Sequence, residues 1–252
     1  IIFSRDEYKQ YKMSQTFSEK KYPFLRYFLG DIRDLDRLKN AVKNVDYIVH
    51  AAALKQVPTA EYNPEEFIKT NIIGTQNLIN ACLESSVSKI IALSTDKAVS
   101  PANLYGATKL CADKLIIAAN HIKGNKKISF SIVRYGNVFG SRGSVVPLFL
   151  KQKEKNILTL TNPKMTRFSI LYDDAIEMVL WGIQNTKGGE IVVPKIPSYK
   201  IMDLAKTISP KSKIKIIGMR QGEKIHEELI NENDGNEIYE NKKYYITVSR
   251  NK

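Results

Sequence analysis

Short apolar runs alternate with segments of helical spacing over the first half of the chain, a rhythm that predicts α/β units on a parallel sheet. Strands are expected at residues 1–3, 25–29, 47–49, 90–93 and 128–133, and helices at 34–44, 64–85 and 105–122. In the first of these helices Leu35, Leu38 and Val42 share one face. Such a sheet is doubly wound, and its ligands lie beyond the carboxyl ends of the strands. Ser4, Asp31, Ala51 and Ser94 fall at those ends.

Beyond Gly140 the rhythm weakens, with Pro147, Pro163, Pro194, Pro197 and Pro210 punctuating shorter elements. The expected division is a dinucleotide-binding part at residues 1–140 and a smaller substrate-binding part at 141–252, partly interleaved with the sheet. Residues 231–252 are polar and end on a candidate strand at 244–248. The start lacks what a dinucleotide fold needs, a first strand and a Gly-rich turn whose backbone approaches the pyrophosphate. The run from Gly136 to Gly140 is not that turn, being too far along and opening no helix of the right unit. Either the chain begins inside a larger protein at the second strand, or the fold is of another kind; the motifs below favour the first.

Composition narrows the function classes. A length of 252 residues with 43% hydrophobic content supports a sizeable core. No apolar run approaches the 18 or more residues of a membrane span, and Ile1 to Phe3 is too short for a signal-peptide core, so a cytoplasmic protein with no membrane partner is expected. The formal charge is +13, but its 30 lysines and 9 arginines are spread along the chain. They form no basic patch interleaved with aromatics, which argues against nucleic acid; solvated lysines are the plain reading, and an acidic membrane surface or small anionic ligands are the other uses of such a charge. Cys82, Cys111, His50, His121 and His226 are scattered, which points to no metal site.

Candidate chemistry concentrates near residue 100. Tyr-x-x-x-Lys occurs three times, at Tyr8/Lys12, Tyr105/Lys109 and Tyr239/Lys243. Only Tyr105/Lys109 follows an apolar strand and opens a helix, and the four-residue spacing puts both side chains on one helix face. Ser94 or Thr95 would hydrogen-bond a substrate hydroxyl while Tyr105, its pKa lowered by Lys109 and a cationic nicotinamide ring, takes that hydroxyl's proton. Asp96-Lys97 adds a second proton-transfer pair, suited to an elimination. Upstream, Ser4-Arg5-Asp6-Glu7 follows a strand where an adenosine ribose would lie. Arg5 suits a 2′-phosphate and Asp6 a free 2′-hydroxyl, so these two residues pull in opposite directions. Asp31 is a candidate for the adenine amino group, and the small residues Ala51-Ala52-Ala53 permit close approach of a cofactor.

These blocks, with Gly30-Asp31-Ile32-Arg33-Asp34, Ser94-Thr95-Asp96-Lys97-Ala98, Asn103 through Lys109, Arg134-Tyr135-Gly136-Asn137-Val138, Met165-Thr166-Arg167-Phe168 and Gly222-Glu223-Lys224, stand in an order that resembles the extended short-chain dehydrogenase/reductases. Within them the chain is most similar to the inverting UDP-N-acetylglucosamine 4,6-dehydratases of bacterial pseudaminic acid synthesis. The resemblance implies a Rossmann-like fold, a lyase reaction, NADP as cofactor and a UDP-sugar as substrate. It implies that Tyr105 and Lys109 serve oxidation at C4, that Lys97 removes the C5 proton and that Asp96 protonates the departing C6 hydroxyl, with inversion at C5. Cofactor contacts would fall on Ser4, Arg5, Asp6, Glu7, Lys9, Asp31, Ile32, Ala51, Lys55, Leu93, Ser94, Tyr105, Lys109 and Val138. Substrate contacts would fall on Lys55, Thr95, Asn137, Arg142, Thr166 and Arg220. A homo-oligomer is also implied.

Gln56 stands where relatives usually carry His, and Gln221 where they carry Pro. The resemblance also implies a chain that runs on past both ends, so residues 1–252 alone are expected to show little dehydratase activity. A 4-epimerase would use Tyr105 and Lys109 but has no need of Asp96-Lys97, and the larger retaining dehydratases typically place Met at the position of Tyr105. A non-catalytic nucleotide-binding or structural protein of the same fold is the reading from a different class.

Overall fold

A computed structural model describes all residues except 233, 235, 236 and 249–252. In chain order the elements are β1 (Ile2–Ser4), α1 (Glu7–Thr16), β2 (Tyr27–Leu29), α2 (Leu35–Ala41), β3 (Tyr47–His50), α3 (Val57–Tyr62), α4 (Pro64–Phe67), α5 (Gly74–Leu83), β4 (Lys89–Thr95), α6 (Leu104–Ile122), β5 (Ser129–Tyr135) and β6 (Asn137–Val138). They continue as α7 (Val145–Lys153), β7 (Ile157–Leu160), β8 (Thr166–Ile170), α8 (Tyr172–Asn185), β9 (Glu190–Pro194), β10 (Ser198–Lys200), α9 (Ile201–Ile208), β11 (Lys213–Ile216), β12 (Glu237–Glu240) and β13 (Tyr244–Val248).

The central sheet has the order β12-β13-β9-β5-β4-β3. Strands β3, β4, β5 and β9 run parallel, and β13 and β12 close one side antiparallel. Strands buried on both faces are near-continuously apolar, and β5 is buried from Ser129 to Arg134. One face packs Leu38, Leu78, Ile79, Ile116 and Ala119 of α2, α5 and α6 against Ile90, Phe130 and Ile132. The opposite face packs Ala175 and Met178 of α8 against Ile91, Val133 and Val192. This is the doubly wound arrangement the sequence predicts.

Helix starts follow local capping chemistry. Asp6, Asp34 and Asn103 each accept a hydrogen bond from the backbone N–H three residues on, opening α1, α2 and α6. The predicted helix at 64–85 is α4 and α5 joined by a π-helical stretch, Ile68–Ile73. There the widened turn buries Asn71, whose amide brackets the backbone of Leu54, accepting from its N–H and donating to its carbonyl. The same Nδ2 reaches Thr108 on α6 at 3.0 Å. Asn71 thus fastens the loop after β3 to the helix that carries Tyr105 and Lys109.

β1 and β2 form a separate parallel pair. Between β1 and β3 lies a cavity of 680 Å³ lined by residues of both, including Phe3, Ser4, Ile48 and Val49. The cavity separates the β1–β2 pair from the central sheet. After residue 140, Phe149, Leu158, Leu160, Met165, Ile201 and Ala205 form a small core of their own, while α8, β9, β12 and β13 return to the central layers.

Candidate active site

At its carboxyl end β4 passes into a single 3-10 turn, Asp96–Ala98, and α6 starts six residues later. Two glycine contacts bring these pieces together. A Cβ at Gly106 would lie 2.2 Å from the Lys97 carbonyl oxygen, so only glycine lets the first turn of α6 rest on the backbone of Lys97. Asn103 caps that turn and donates its Nδ2 to the Gly222 carbonyl at 2.9 Å, tying the helix start to the 220–224 segment. A Cβ at Gly222 would meet that of Asn103 at 2.8 Å, and Gly222 has φ +75°. Close approach and left-handed backbone both select glycine there.

The result is a cavity of 490 Å³ whose walls include Lys97, Tyr105 and Lys109. The predicted residues Lys55, Leu93, Ser94, Thr95, Asn137, Val138, Arg142 and Arg220 also line it. The Lys97 Nζ lies 3.0 Å from Asp96 Oδ1 and 3.4 Å from Asn137 Oδ1. The Thr95 hydroxyl donates to the same Asp96 oxygen at 2.8 Å. It also lies near enough to the Tyr105 phenol to lower it, so Tyr105, Thr95, Asp96 and Lys97 are neighbouring polar groups.

The surroundings of each group add to these expectations. The chain's own groups raise the Tyr105 phenol, first by burial against Ala60 and Phe67, with the charges of Asp96 and Asp113 adding to it and Thr95 opposing. Lys109 donates to the Leu93 carbonyl at 2.8 Å, and its own burial lowers it, opposed by Asp113. Asp96 is 0% exposed and lies behind Thr95 and Lys97 rather than on the cavity wall, with Oδ2 unpartnered. The Ser94 hydroxyl donates to the buried Asp113 carboxylate at 2.6 Å, which leaves Thr95 as the hydroxyl beside Tyr105. Asp113 is raised by burial and held in place by Arg134 at 3.3 Å.

The cavity between β1 and β3 gathers Ser4, Arg5, Asp6, Lys9, Asp31 and Ile32, and it shares Ala51 with the Tyr105 cavity. Glu7 is outside it. Asp6 is occupied in capping α1 and in an ion pair with Lys9 at 2.9 Å. Asp31 receives Arg33 at 2.8 Å and Arg5 at 3.4 Å. Arg33, the strongest influence, holds the Asp31 carboxyl down at about 2. Arg5 has that one long contact and is half exposed, which makes it the cation open to an anion.

Thr166 is not brought onto the wall of the Tyr105 cavity. Its hydroxyl meets His226 Nδ1 at 2.8 Å, and its neighbour Arg167 lines the cavity instead. Sequence reasoning passed over Arg167, Glu227, Asn71, Gly106 and Asp113. Arg167 stands within Met165–Phe168 and Glu227 three residues past Lys224; Asn71 carries no signal beyond being a polar residue in a helical pattern. Among the described residues no group of three or more His, Cys, Asp or Glu is placed to hold a metal ion, and no helix is long and apolar enough to cross a membrane.

Residues 1–249 match the family model described as polysaccharide biosynthesis protein. The chain belongs to this family. It is an extended short-chain dehydrogenase/reductase. Over 247 residues it is 54% identical to the UDP-N-acetylglucosamine 4,6-dehydratase (inverting) of Campylobacter jejuni, covering 97% of this chain and 73% of that protein. A protein named UDP-glucose 4-epimerase from Rickettsia canadensis is 43% identical over 92% of this chain and 69% of its own. Among solved structures, Pen from Bacillus thuringiensis superposes with a TM-score of 0.92 at 41% identity, covering 98% of this chain and 80% of that one.

Proposed function

We propose that this family member dehydrates UDP-N-acetylglucosamine across C4 to C6 with inversion at C5, using NADP, to give a UDP-4-keto-6-deoxy-L-hexosamine. The observation that carries the reading is the meeting of two proton-transfer pairs, Tyr105/Lys109 and Asp96/Lys97, around one cavity. The 54% identical relative bears the name of that reaction.

The residues fit a nicotinamide dinucleotide running from Arg5 past Ala51 to Tyr105, since the two cavities meet at Ala51. Arg5 supports NADP over NAD, because a guanidinium with a single long contact can take a 2′-phosphate bidentately. When bound, the cofactor supplies the acceptor and store for one hydride, and its cationic ring offsets the burial that raises the phenol.

Lys55, Arg142, Arg167 and Arg220 supply cations around the cavity suited to a diphosphate. Tyr105 takes the proton of the C4 hydroxyl, and the Thr95 hydroxyl beside it orients that group. A ketone at C4 acidifies the C5 proton. Lys97, on the cavity wall, is the group that removes it. Asp96 contributes the proton for the departing C6 hydroxyl through the Thr95 hydroxyl, a cavity-lining group that touches it. Asn137 holds the Lys97 amine from the other side. The family resemblance further supports residues 1–140 as the cofactor part and 141–252 as the substrate part, a homo-oligomer in the cytoplasm, and a product destined for pseudaminic acid on bacterial surface glycans.

A 4-epimerase is the second reading, favoured by the Rickettsia relative. It would leave Lys97 and Asp96 without a task. Incubating the full-length protein with UDP-N-acetylglucosamine and following C5 and C6 by NMR separates them. Water loss with an inverted C5 is expected. A C4 epimer without water loss, or a 4-keto product with C5 unchanged, would refute the assignment.

A further inference from the structure

Glu227 is a nearly buried carboxyl, 8% exposed, on the wall of the Tyr105 cavity. Its Oε1 lies 3.8 Å from Lys97 Nζ, and its Oε2 lies 3.8 Å from Lys224 Nζ and has no hydrogen-bond partner. A buried carboxyl oxygen left without a hydrogen bond, its nearest cations at 3.8 Å, is costly, so a scaffold role explains it poorly.

The placement is built rather than incidental. Arg167 on β8 donates to the carbonyls of Lys224 and Ile225, each at 3.0 Å. The Thr166 N–H donates to the Ile225 carbonyl at 3.0 Å, and Lys224 Nζ donates to the Val99 carbonyl at 2.6 Å. With His226 held by the Thr166 hydroxyl, every residue from 224 to 226 is pinned, and Glu227 is set beside Lys97. Burial raises its carboxyl, with Asp96 adding to that, while Lys97, Arg167 and Lys224 oppose the rise. A carboxyl raised in this way is better matched to exchanging protons near neutral pH.

We propose that Glu227 is a positioning residue acting through Lys97: it takes from Lys97 the proton collected at C5 and returns the amine to its free form. The inference rests on the dehydratase reading. In the elimination the C5–H bond breaks, its electron pair becomes the C5–C6 double bond as the C6–O bond breaks, and the proton forms a new N–H on Lys97. That N–H then breaks as an O–H forms on Glu227, and the proton passes to water at the cavity mouth. The C6 oxygen leaves as water by taking the proton of Asp96, and Asp96 and C5 each regain a proton from solvent later in the cycle, which offsets the protons released from C5 through Glu227 and from the C4 hydroxyl through Tyr105.

The test compares E227Q and E227D with wild type in the full-length protein, using UDP-N-acetylglucosamine and rapid quench. E227Q should eliminate water in its first turnover at nearly the wild-type rate, then fall at least about tenfold in steady-state kcat, giving a burst with little change in KM. E227D, which keeps a carboxyl, should recover part of the steady-state rate. A steady-state kcat within about twofold of wild type in E227Q, an equal loss in the first and later turnovers, or E227D no faster than E227Q would each overturn the proposal. If wild type loses no water at all, the dehydratase reading fails and takes this inference with it. Normal water loss in wild type beside an unaffected E227Q overturns the relay alone.

Discussion

Replacing Gly106 by Ala should separate the two proton-transfer pairs without touching any of their side chains. The new Cβ would sit 2.2 Å from the Lys97 carbonyl oxygen, 3.1 Å from its carbonyl carbon and 3.1 Å from Pro101 Cβ. The first obstacle is backbone, which cannot swing aside as a side-chain tip would. Restoring ordinary van der Waals contact requires α6 and the 96–98 turn to part by about 1 Å, in a core packed too tightly to absorb it elsewhere. Overpacking of this kind costs about 1–3 kcal/mol of stability. A misplacement of about 1 Å between reacting groups costs on the order of a hundredfold in rate. Tyr105 and Lys109 move with the helix while Asp96 and Lys97 stay, so G106A should lose about a hundredfold in kcat for dehydration. KM for the UDP-sugar should change less than kcat, since Arg142 and Arg167 stand on segments of their own. Steady-state kinetics and thermal unfolding of the same preparation measure both effects. A G106A protein with wild-type kcat and wild-type melting temperature would show that the helix does not depend on this contact to set the site.

Arg5→Ala should raise KM for NADP about tenfold or more while leaving KM for NAD almost unchanged; an equal effect on both cofactors would remove Arg5 from the 2′-phosphate. Asn71→Ala deletes the bracket on Leu54 and the link to Thr108, leaving buried backbone groups unpaired, and should cost about 2–3 kcal/mol in chemical denaturation; a loss under about 0.5 kcal/mol would contradict the clamp. His50 is buried and hydrogen-bonded to Thr75, and burial, with a smaller effect from Lys109, lowers its pKa from 6.5 to about 3. Because the folded state resists protonation, stability is full above 6.5 and falls as pH drops toward 3, by about 2 kcal/mol at about pH 5 from this residue. Denaturation of His50→Gln at that pH and at neutral pH should show a drop smaller by that amount, and an unchanged drop would rule out His50 as its source.

Much of the framework was legible because its signals are local. The buried strands β4 and β5 read as apolar runs, and α2 and α6 carried both periodicity and capping residues. By contrast α1 buries no residue, so its charged sequence gave no amphipathic stripe to read. The π-helical stretch at Ile68–Ile73 keeps a helical pattern in sequence while changing which residue faces inward, which is why Asn71 went unseen. The site divides the same way. Spacing and context singled out Tyr105 and Lys109, and the neighbouring blocks drew attention to Arg5, Asn137 and Arg220. Whether Asp96 faces the cavity or lies behind it depends on one 3-10 turn, and whether Glu227 reaches Lys97 depends on Arg167 pinning a segment 57 residues away. Neither is a property of any short stretch of chain. The burial that raises Tyr105 and lowers Lys109 is hidden for a related reason: the sequence shows a lysine one helical turn on, but not how deeply both side chains are buried.

The central claim is that one cavity carries a redox pair and a separate elimination pair, and Lys97→Met tests it most directly. In a single turnover with enzyme in excess over UDP-N-acetylglucosamine, the variant should reduce the bound NADP, seen by absorbance of the reduced cofactor, and accumulate the 4-keto sugar without losing water. Water loss at the wild-type rate would show that another group removes the C5 proton, and absence of cofactor reduction would show that the two pairs do not act independently.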